Sequence, residues 1–424
     1  MDTLLVRSAR IIDRNSPFHN KKADVLIEGG VIKEIGKKIQ NITAKEYESD
    51  NLHVSPGWFD MQVHFCDPGY EYKEDILSGI EAAAAGGFTG VACMPSTLPP
   101  LHNKSGIEYV VNKARGAPVD VFPVGAITHK LEGKEINEMY DMHRSGAIAF
   151  SDDKNPVQDA GVLIRALLYV KTIGCPLLLH CEDKSISNNG DINEGVVNVF
   201  LGLRATPPLS EEIMVARNIQ LAGYAGSRIH FGTISSGQSV ELIAAARKTG
   251  IGLSAGIAAH QIALDETHLT SFSTDLKVNP PLRTGKDIRV LKKALAENII
   301  DVICSDHTPE DTESKMREFD TAAFGITGLE TLFALCTTFL GGTLSVTEII
   351  DKIAVNPRKI LNLEVPVISE GKKANCTFFD PARKWTFKTT DIRSKSRNTP
   401  FINREFTGKP LAIYNNGIFR RGGE

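Results

Sequence analysis

The feature that most constrains the fold is a strand, loop and helix pattern that repeats eight times between residues 54 and 362. Each predicted strand is a short apolar run, and the stretches between the runs carry apolar residues at helical spacing. Several of these stretches end in glycine directly before the next strand, as is typical of a helix that returns to a sheet. The predicted strands are Gly57–His64, Thr89–Met94, Asp120–Ile127, Ile148–Ser151, Pro176–His180, Arg228–Thr233, Gly250–Ala255 and Asp301–Cys304.

Strands that are apolar on both faces favour a closed parallel barrel over an open, doubly wound sheet. No Gly-x-Gly-x-x-Gly motif follows the first strand, so a dinucleotide-binding fold has no support. The clearest predicted helices are Lys73–Ala85, Gly106–Ala114, Asp159–Ile173, Ser210–Ala225, Gln238–Lys248 and Lys286–Glu297, with Gly328–Phe339 and Ser345–Val355 after the eighth strand.

The two ends of the chain have a different pattern, because both consist of short β-rich runs separated by turns. The pair Gly29-Gly30, for example, is a hairpin signal. Each end is too small to fold alone, so we expect residues 1–53 and 363–424 to form one composite β-sandwich domain beside a barrel of residues 54–362. The predicted fold class is therefore α/β, a (β/α)8 TIM-like barrel with a small β-domain built from the two chain ends.

The composition excludes several classes of partner. The net charge is −3 and residues of both signs are interspersed, which argues against nucleic acid and against an anionic membrane surface. No apolar run approaches the roughly 18 residues that a membrane span needs, and the N-terminus lacks a signal-peptide pattern. The seven cysteines include no Cys-x-x-Cys pair and fall mostly within apolar runs, which indicates reduced thiols and a cytoplasmic protein.

Side chains that bind metal ions follow several of the predicted strands, at the strand ends that form the active site of a (β/α)8 barrel. Imidazole nitrogen and carboxylate oxygen are zinc ligands, and a pair of ions needs a carboxylate that reaches both. Taken singly, each residue is explained as well by a helix cap or a core histidine, but together they indicate a metal-type site. These residues are Gln62, His64, Asp152, Asp153, His180, His230 and Asp306.

The chain resembles the dihydroorotases of the amidohydrolase superfamily along nearly its whole length. The resemblance implies a zinc enzyme, with one or two ions, that reversibly hydrolyses the ring amide of dihydroorotate to N-carbamoyl-aspartate in pyrimidine biosynthesis. The motifs that carry it are Pro56-Gly-Trp-Phe-Asp60, His64 with Pro68-Gly69, Phe150-Ser-Asp-Asp153, His180-Cys-Glu182, His230, Leu276-Lys-Val-Asn-Pro-Pro-Leu-Arg283, Ser305-Asp-His-Thr-Pro309 and Phe324-Gly-Ile-Thr-Gly-Leu-Glu330.

The resemblance also implies a role for individual residues. His64 corresponds to a ligand of the first metal, and His180 and His230 correspond to ligands of the second. Asp153, in preference to Asp152, corresponds to the bridging carboxylate. The remaining implied roles are general acid/base and metal ligand for Asp306, contact with the substrate carboxylate for Asn279, and lining of the substrate site for His260.

Three positions depart from the family pattern at the predicted site. Gln62 stands where the family has a histidine, and a neutral amide is a poorer zinc ligand than imidazole. In the family, an arginine and a histidine at these positions bind the substrate carboxylate, and here they are replaced by Cys66 and Glu310. A thiol cannot supply the charge-assisted pair, and Glu310 is expected to place like charge near the substrate acid. We therefore expect weak turnover of dihydroorotate, and zinc, where bound, to prefer the position of Asp153, His180 and His230.

Three functions are consistent with these observations. The first is a weak dihydroorotase acting on a small cyclic amide, as a homo-oligomer. The second is a catalytically inactive homologue that serves as a structural partner of aspartate transcarbamoylase. The third is an amidohydrolase for an uncharged cyclic amide or imide, for which the changes at Cys66 and Glu310 are no handicap. The segment from Glu310 to Phe324 is predicted to be a surface loop over the barrel mouth.

Overall fold

The structure, a computed structural model, describes residues 3–422. The strands are β1 (Leu4–Ile11), β2 (Lys22–Glu28), β3 (Val31–Gly36), β4 (Lys45–Tyr47), β5 (His53–Pro56), β6 (Trp58–Val63), β7 (Phe88–Cys93), β8 (Asp120–Gly125), β9 (Ala149–Phe150), β10 (Leu177–Leu179), β11 (Ile192–Asn193), β12 (Ala205–Thr206), β13 (Ile229–Phe231), β14 (Leu253–Ala258), β15 (Val302–Cys304), β16 (Cys376–Thr386), β17 (Glu405–Asn415) and β18 (Ile418–Arg421).

The α-helices are α1 (Ile76–Ala85), α2 (Lys104–Lys113), α3 (Met139–Arg144), α4 (Ala160–Ile173), α5 (Lys184–Ser187), α6 (Val196–Leu201), α7 (Leu209–Ala225), α8 (Gly237–Arg247), α9 (His260–Ala263), α10 (Gly285–Ala296), α11 (Thr312–Lys315), α12 (Leu332–Leu340), α13 (Val346–Ile350) and α14 (Asn356–Ile360). A π-helical turn, Asp351–Val355, joins the last two.

Eight parallel strands form the barrel, in the order β6, β7, β8, β9, β10, β13, β14 and β15. The last strand returns to the first, where the backbone N–H of His64 donates to the carbonyl of His307 at 2.9 Å. Beside this contact the N–H of Ser305 donates to Oδ2 of Asp60, also at 2.9 Å. The predicted barrel is therefore confirmed.

The predicted barrel elements differ from the observed ones at their ends, and short helices such as α3, α5 and α6 have no counterpart among the predicted ones. The seventh strand begins at Leu253 and not at Gly250, because Gly250 adopts φ +80° in the turn after α8. Helix α1 begins at Ile76 because the carboxylate of Asp75 accepts hydrogen bonds from the backbone of Leu77 and Ser78, both at 2.9 Å. Element ends are set by such caps, which a hydrophobic period does not reveal.

The two chain ends meet in a second eight-stranded sheet. Its order is β18, β17, β16, β5, β1, β2 and β3, with β4 paired to β1. The junction is the antiparallel pair of β16 and β5, in which Phe378 lies opposite Val54. Side chains from both chain ends, among them Val6 and Tyr414, share one apolar cluster. The predicted composite β-domain is confirmed, and its sheet continues to Pro56, three residues beyond the predicted boundary.

The structure also shows the state of the cysteines and the character of the helices. All seven cysteines are unpaired and buried. Within residues 3–422, no helix combines the length and the apolar character that crossing a membrane requires.

Candidate active site at the C-terminal mouth of the barrel

His64 and Asp153 form an ion pair that joins the ends of the first and fourth barrel strands. Nε2 of His64 donates to Oδ2 of Asp153 at 2.7 Å, and Nδ1 lies 3.1 Å from the carbonyl oxygen of His307. Burial lowers the pKa of His64, but the charge and hydrogen bond of Asp153 outweigh it, and the pKa is raised. Burial raises the pKa of Asp153, and His64 more than reverses that effect. Each of the two groups therefore favours the charged form of the other.

Asp306, the predicted general acid/base, is bound by two N–H donors. Nε2 of Gln62 donates to Oδ1 at 2.8 Å. The ammonium of Lys154 lies 3.1 Å from both carboxylate oxygens and also donates to the carbonyl of Asn279 at 2.7 Å. Asp306 and Asp153 both adopt φ +51°, where the chain turns sharply after a barrel strand. The turns aim both carboxylates at the barrel mouth.

His180 and Asn279 meet at a third carboxylate, Glu182. Its Oε2 accepts from Nε2 of His180 at 3.4 Å, from Nδ2 of Asn279 at 3.1 Å and from the ammonium of Lys184 at 2.8 Å. Burial raises the pKa of Glu182, but its bonds to His180 and Lys184 bring it well below its usual range. Nδ1 of His180 is buried and has no hydrogen-bond partner. Asn279 is thus oriented by Glu182.

His230 lies in a different place from the other predicted site residues. It is the central residue of β13 and does not follow the end of the strand. Its Nδ1 forms a 2.9 Å hydrogen bond with Oγ of Ser254, near the start of β14. Its Nε2 would be 3.2 Å from a Cβ added to Gly256, so it lies against the backbone inside the barrel. Burial lowers the pKa of His230 to about 3, which keeps the ring neutral.

A cavity of about 240 Å³ opens beside Asp306. His260 lines it and is buried, and neither ring nitrogen has a hydrogen-bond partner. Burial lowers the pKa of His260 to about 4, so a neutral imidazole, with one donor and one acceptor, faces the cavity. The other residues that line the cavity are Lys154, Lys184, Val278, Asn279, Thr308, Phe324, Gly325 and Ile326.

The other two predicted substrate contacts, Cys66 and Glu310, do not line this cavity. They form a neighbouring cluster with Lys73, whose ammonium lies 2.8 Å from Oε2 of Glu310. Burial raises the pKa of Glu310, and Lys73 opposes that rise. Burial, followed by the charge of Glu310, raises the pKa of the Cys66 thiol. The pair with Lys73 neutralises the negative charge that was expected to repel a substrate acid.

Asp152, the alternative to Asp153, is fully engaged elsewhere. Its Oδ1 accepts from the backbone N–H of Thr128 at 2.9 Å, and its Oδ2 accepts from the hydroxyl of the same residue. Burial raises the pKa of Asp152 to about 6. Of the two neighbouring carboxylates, Asp153 is the one that reaches His64.

The donor set does not fit a pair of zinc ions. In the range 3–422, no three His, Cys, Asp or Glu side chains are grouped so that they could hold a metal ion. At the predicted first position, the N–H groups of Gln62 and Lys154 point at Asp306, where a cation would lie. At the second, Oδ1 of Asp153 and Nδ1 of His180 are buried without partners, and His230 bonds Ser254 through Nδ1, which leaves its Nε2 as a donor atom for a metal. Metal binding by the predicted ligands stays a prediction.

Sequence reasoning missed Lys154, Glu182 and Ser96. Lys154 directly follows Asp153, so its place beside the site was readable from the fourth strand. Glu182 lies in the His180-Cys-Glu182 motif, where only the histidine was assigned a role. Ser96, whose hydroxyl donates to Oδ2 of Asp153 at 2.6 Å, follows the second strand in a polar turn and carries no signal in the sequence.

Comparison with known proteins agrees with this architecture. Among solved structures, the fold superposes on an L-hydantoinase (dihydropyrimidinase) from Arthrobacter aurescens with a TM-score of 0.87, at 22% identity, over 100% of this chain and 97% of that one. It superposes on a D-hydantoinase (dihydropyrimidinase) from a Thermus species with a TM-score of 0.85, at 23% identity, over 99% and 96%. The protein therefore has the barrel fold of the cyclic amidohydrolases.

The sequence comparisons narrow this class to one family. The Dihydro-orotase-like family matches residues 52–239. The dihydroorotase of Caldicellulosiruptor saccharolyticus is 40% identical over 99% of both chains, and that of Geobacter metallireducens is 39% identical over 96% of both. The chain belongs to the dihydroorotase family.

Proposed function

We propose that this protein is a cyclic amidohydrolase of the dihydroorotase type whose turnover of dihydroorotate to N-carbamoyl-aspartate is weak. The observation that carries the proposal is the carboxylate of Asp306, held between Lys154 and Gln62 at the edge of the 240 Å³ cavity. A fixed carboxylate beside an ammonium supplies a proton acceptor and a positive charge at one point, which amide hydrolysis requires. Family membership supports the reaction class.

The residues of the chain account for each proton in the reaction. A water oxygen attacks the ring carbonyl carbon, and Asp306 accepts the proton that this water loses. The charge that develops on the carbonyl oxygen faces the ammonium of Lys154. When the C–N bond breaks, Asp306 returns the proton to the ring nitrogen, and the product carries a new carboxylic acid and a free amide nitrogen. Lys154 and Gln62 already bind both oxygens of Asp306, so a water must displace one of these donors before it can transfer its proton, and we expect a slow reaction.

Zinc, the metal implied by the family resemblance, supplies a polarised carbonyl and an activated water where it is bound. The donor set described above does not fit two ions, so no step here is assigned to a metal. We keep binding of a single zinc ion as a proposal, supported by the two unpartnered donors, Asp153 Oδ1 and His180 Nδ1.

A second candidate substrate is an uncharged cyclic amide or imide. The charges around the cavity balance, because Lys154 pairs with Asp306 and Lys184 pairs with Glu182. A balanced cavity has no net attraction for a substrate carboxylate. The neutral ring of His260 offers one donor and one acceptor, which matches the alternating C=O and N–H groups of an imide.

The third function, an inactive partner of aspartate transcarbamoylase, gains no support from the comparisons, because the relatives are named as the enzyme itself. We place the protein in the cytoplasm, supported by its seven buried, unpaired thiols. Assembly into a homo-oligomer stays a prediction.

The test is a hydrolysis assay on purified protein with dihydroorotate, dihydrouracil, hydantoin and succinimide. We expect measurable turnover that is faster for the uncharged rings than for dihydroorotate. Asp306→Asn is expected to lower kcat by about a hundredfold or more. Asp141→Asn, at an exposed helical carboxylate, is the matched control and should retain wild-type turnover. Absence of turnover on all four rings, or full activity of the Asp306 variant, would overturn the proposal.

A further inference from the structure

We infer that the ammonium of Lys154 takes the place of a divalent metal ion beside Asp306, and that it excludes metal from the position formed by Gln62, His64 and Asp306. This inference concerns metal binding and does not rest on the proposed activity, because metal content is measured without turnover.

The first observation that supports the inference is that all three N–H donors of Lys154 have an acceptor. An ammonium group has three N–H donors. Here it lies 3.1 Å from each oxygen of Asp306 and 2.7 Å from the carbonyl of Asn279. Its side chain is only 23% exposed, and that of Asp306 is 5% exposed. The pair is therefore a fixed part of the site and not a mobile surface contact.

The second support is that the metal-type groups at this position are already bound within the protein. Both oxygens of Asp306 accept hydrogen bonds, and the amide nitrogen of Gln62 points at one of them. The two ring nitrogens of His64 face Asp153 on one side and the His307 carbonyl with the Thr308 hydroxyl on the other. A metal ion would have to displace several hydrogen bonds and then face an ammonium at short range.

The neighbouring position provides an internal contrast. Oδ1 of Asp153 and Nδ1 of His180 are buried, lack partners and belong to zinc-binding residue types. At the position of Gln62, His64 and Asp306, by contrast, none of these three side chains has a buried polar atom without a partner. We therefore expect one divalent ion per chain or none, and never an ion in contact with Asp306.

The experiment measures metal content and zinc affinity. Wild-type protein is loaded with zinc, dialysed and analysed by plasma mass spectrometry, and zinc binding to the metal-free protein is titrated by calorimetry. The informative variant is Lys154→Met combined with Gln62→His, which removes the ammonium and supplies an imidazole. The matched control is Lys184→Met with Gln62→His, because Lys184 is the other lysine of the cavity and pairs with Glu182.

The inference predicts at most one zinc ion per wild-type chain, one additional ion in the Lys154→Met/Gln62→His variant, and no additional ion in the Lys184→Met/Gln62→His control. Two ions in the wild-type protein would overturn it. The inference would also fail if the Lys154 variant is folded, as verified by circular dichroism, and gains no ion. It would fail as well if the Lys184 control gains an ion. If the Lys154 variant does not fold, the number of zinc ions bound per wild-type chain decides alone: two ions overturn the inference, and one or none supports it.

Discussion

Nε2 of His64 lies 2.7 Å from Oδ2 of Asp153, although 89 residues separate the two along the chain. Their side chains are 8% and 2% exposed, so the contact is shielded from water. A buried charge that loses its partner is costly, because neither water nor another counterion replaces the lost interaction. This contact therefore holds the ends of the first and fourth barrel strands together.

Replacing His64 with alanine is expected to lower the free energy of unfolding by about 3–5 kcal/mol, the usual cost of leaving a buried charge unpaired. Urea denaturation followed by circular dichroism measures the change. The matched control is His268→Ala, which breaks a 3.1 Å pair with Asp265 whose side chains are 40% and 27% exposed, and which should cost about 1 kcal/mol or less. Equal costs for the two variants would show that the buried pair adds no special stability.

The stability of the protein should rise with pH through the contribution of Lys315. Burial lowers the pKa of this lysine to about 8 from 10.5. Between these values the unfolded chain binds the proton and the folded chain does not, so stability increases from pH 8 to pH 10.5 and is constant below pH 8.

We expect the unfolding free energy of the wild type, relative to Lys315→Met, to rise by on the order of 3 kcal/mol across that interval. This rise is measured by denaturing both proteins at pH values below, within and above the interval. Subtracting the unfolding free energy of the variant from that of the wild type removes the contribution of other titrating groups. A difference that stays constant with pH would contradict the depressed pKa.

Lys277 anchors the predicted loop over the barrel mouth. Its ammonium lies 2.8 Å from Asp191, with both side chains 2% exposed, and donates to the carbonyls of Phe319 and Asp320. Lys277→Met should cost about 3–5 kcal/mol of unfolding free energy and speed up tryptic cleavage after Arg317. The exposed Lys293→Met is the control, with an expected change within about 0.5 kcal/mol. An unchanged cleavage rate in Lys277→Met would mean that the loop is held by other contacts.

Restoring the family residues beside the site should strengthen the binding of dihydroorotate. A charge-assisted hydrogen bond contributes about 1.5–3 kcal/mol, so Cys66→Arg with Glu310→His is expected to tighten Kd by about ten- to a hundredfold. Calorimetry with dihydroorotate measures the gain, and dihydrouracil, which has no carboxylate, serves as the control ligand. An equal gain for both ligands would show that the new arginine does not recognise the carboxylate.

The fold was predictable from the sequence because each barrel strand is a short apolar run and the longer helices between the strands have a hydrophobic period. The predicted strand ends were less accurate than the predicted strands themselves, and the strand that contains His230 is an example. The predicted sixth strand ends at Thr233, whereas β13 ends at Phe231, directly after His230. Nδ1 of this histidine bonds Oγ of Ser254, and its role as a metal ligand stays a prediction.

The residue types at the site were predictable from the sequence, but the contacts between these residues were not. His64, Asp153 and Asp306 follow their strands as expected, since strand ends converge in a barrel. The contact between Lys154 and Asp306 joins residues 152 positions apart, and no local pattern indicates it. Glu182 was overlooked because its function is to orient Asn279, and that hydrogen bond depends on how two loops pack.

The most direct test of this account is anomalous diffraction at the zinc edge from crystals grown with excess zinc. We expect no peak between Gln62, His64 and Asp306, with the ammonium of Lys154 still on the carboxylate of Asp306. A fully occupied peak at zinc-ligand distance from His64 and Asp306, with Lys154 displaced, would contradict it.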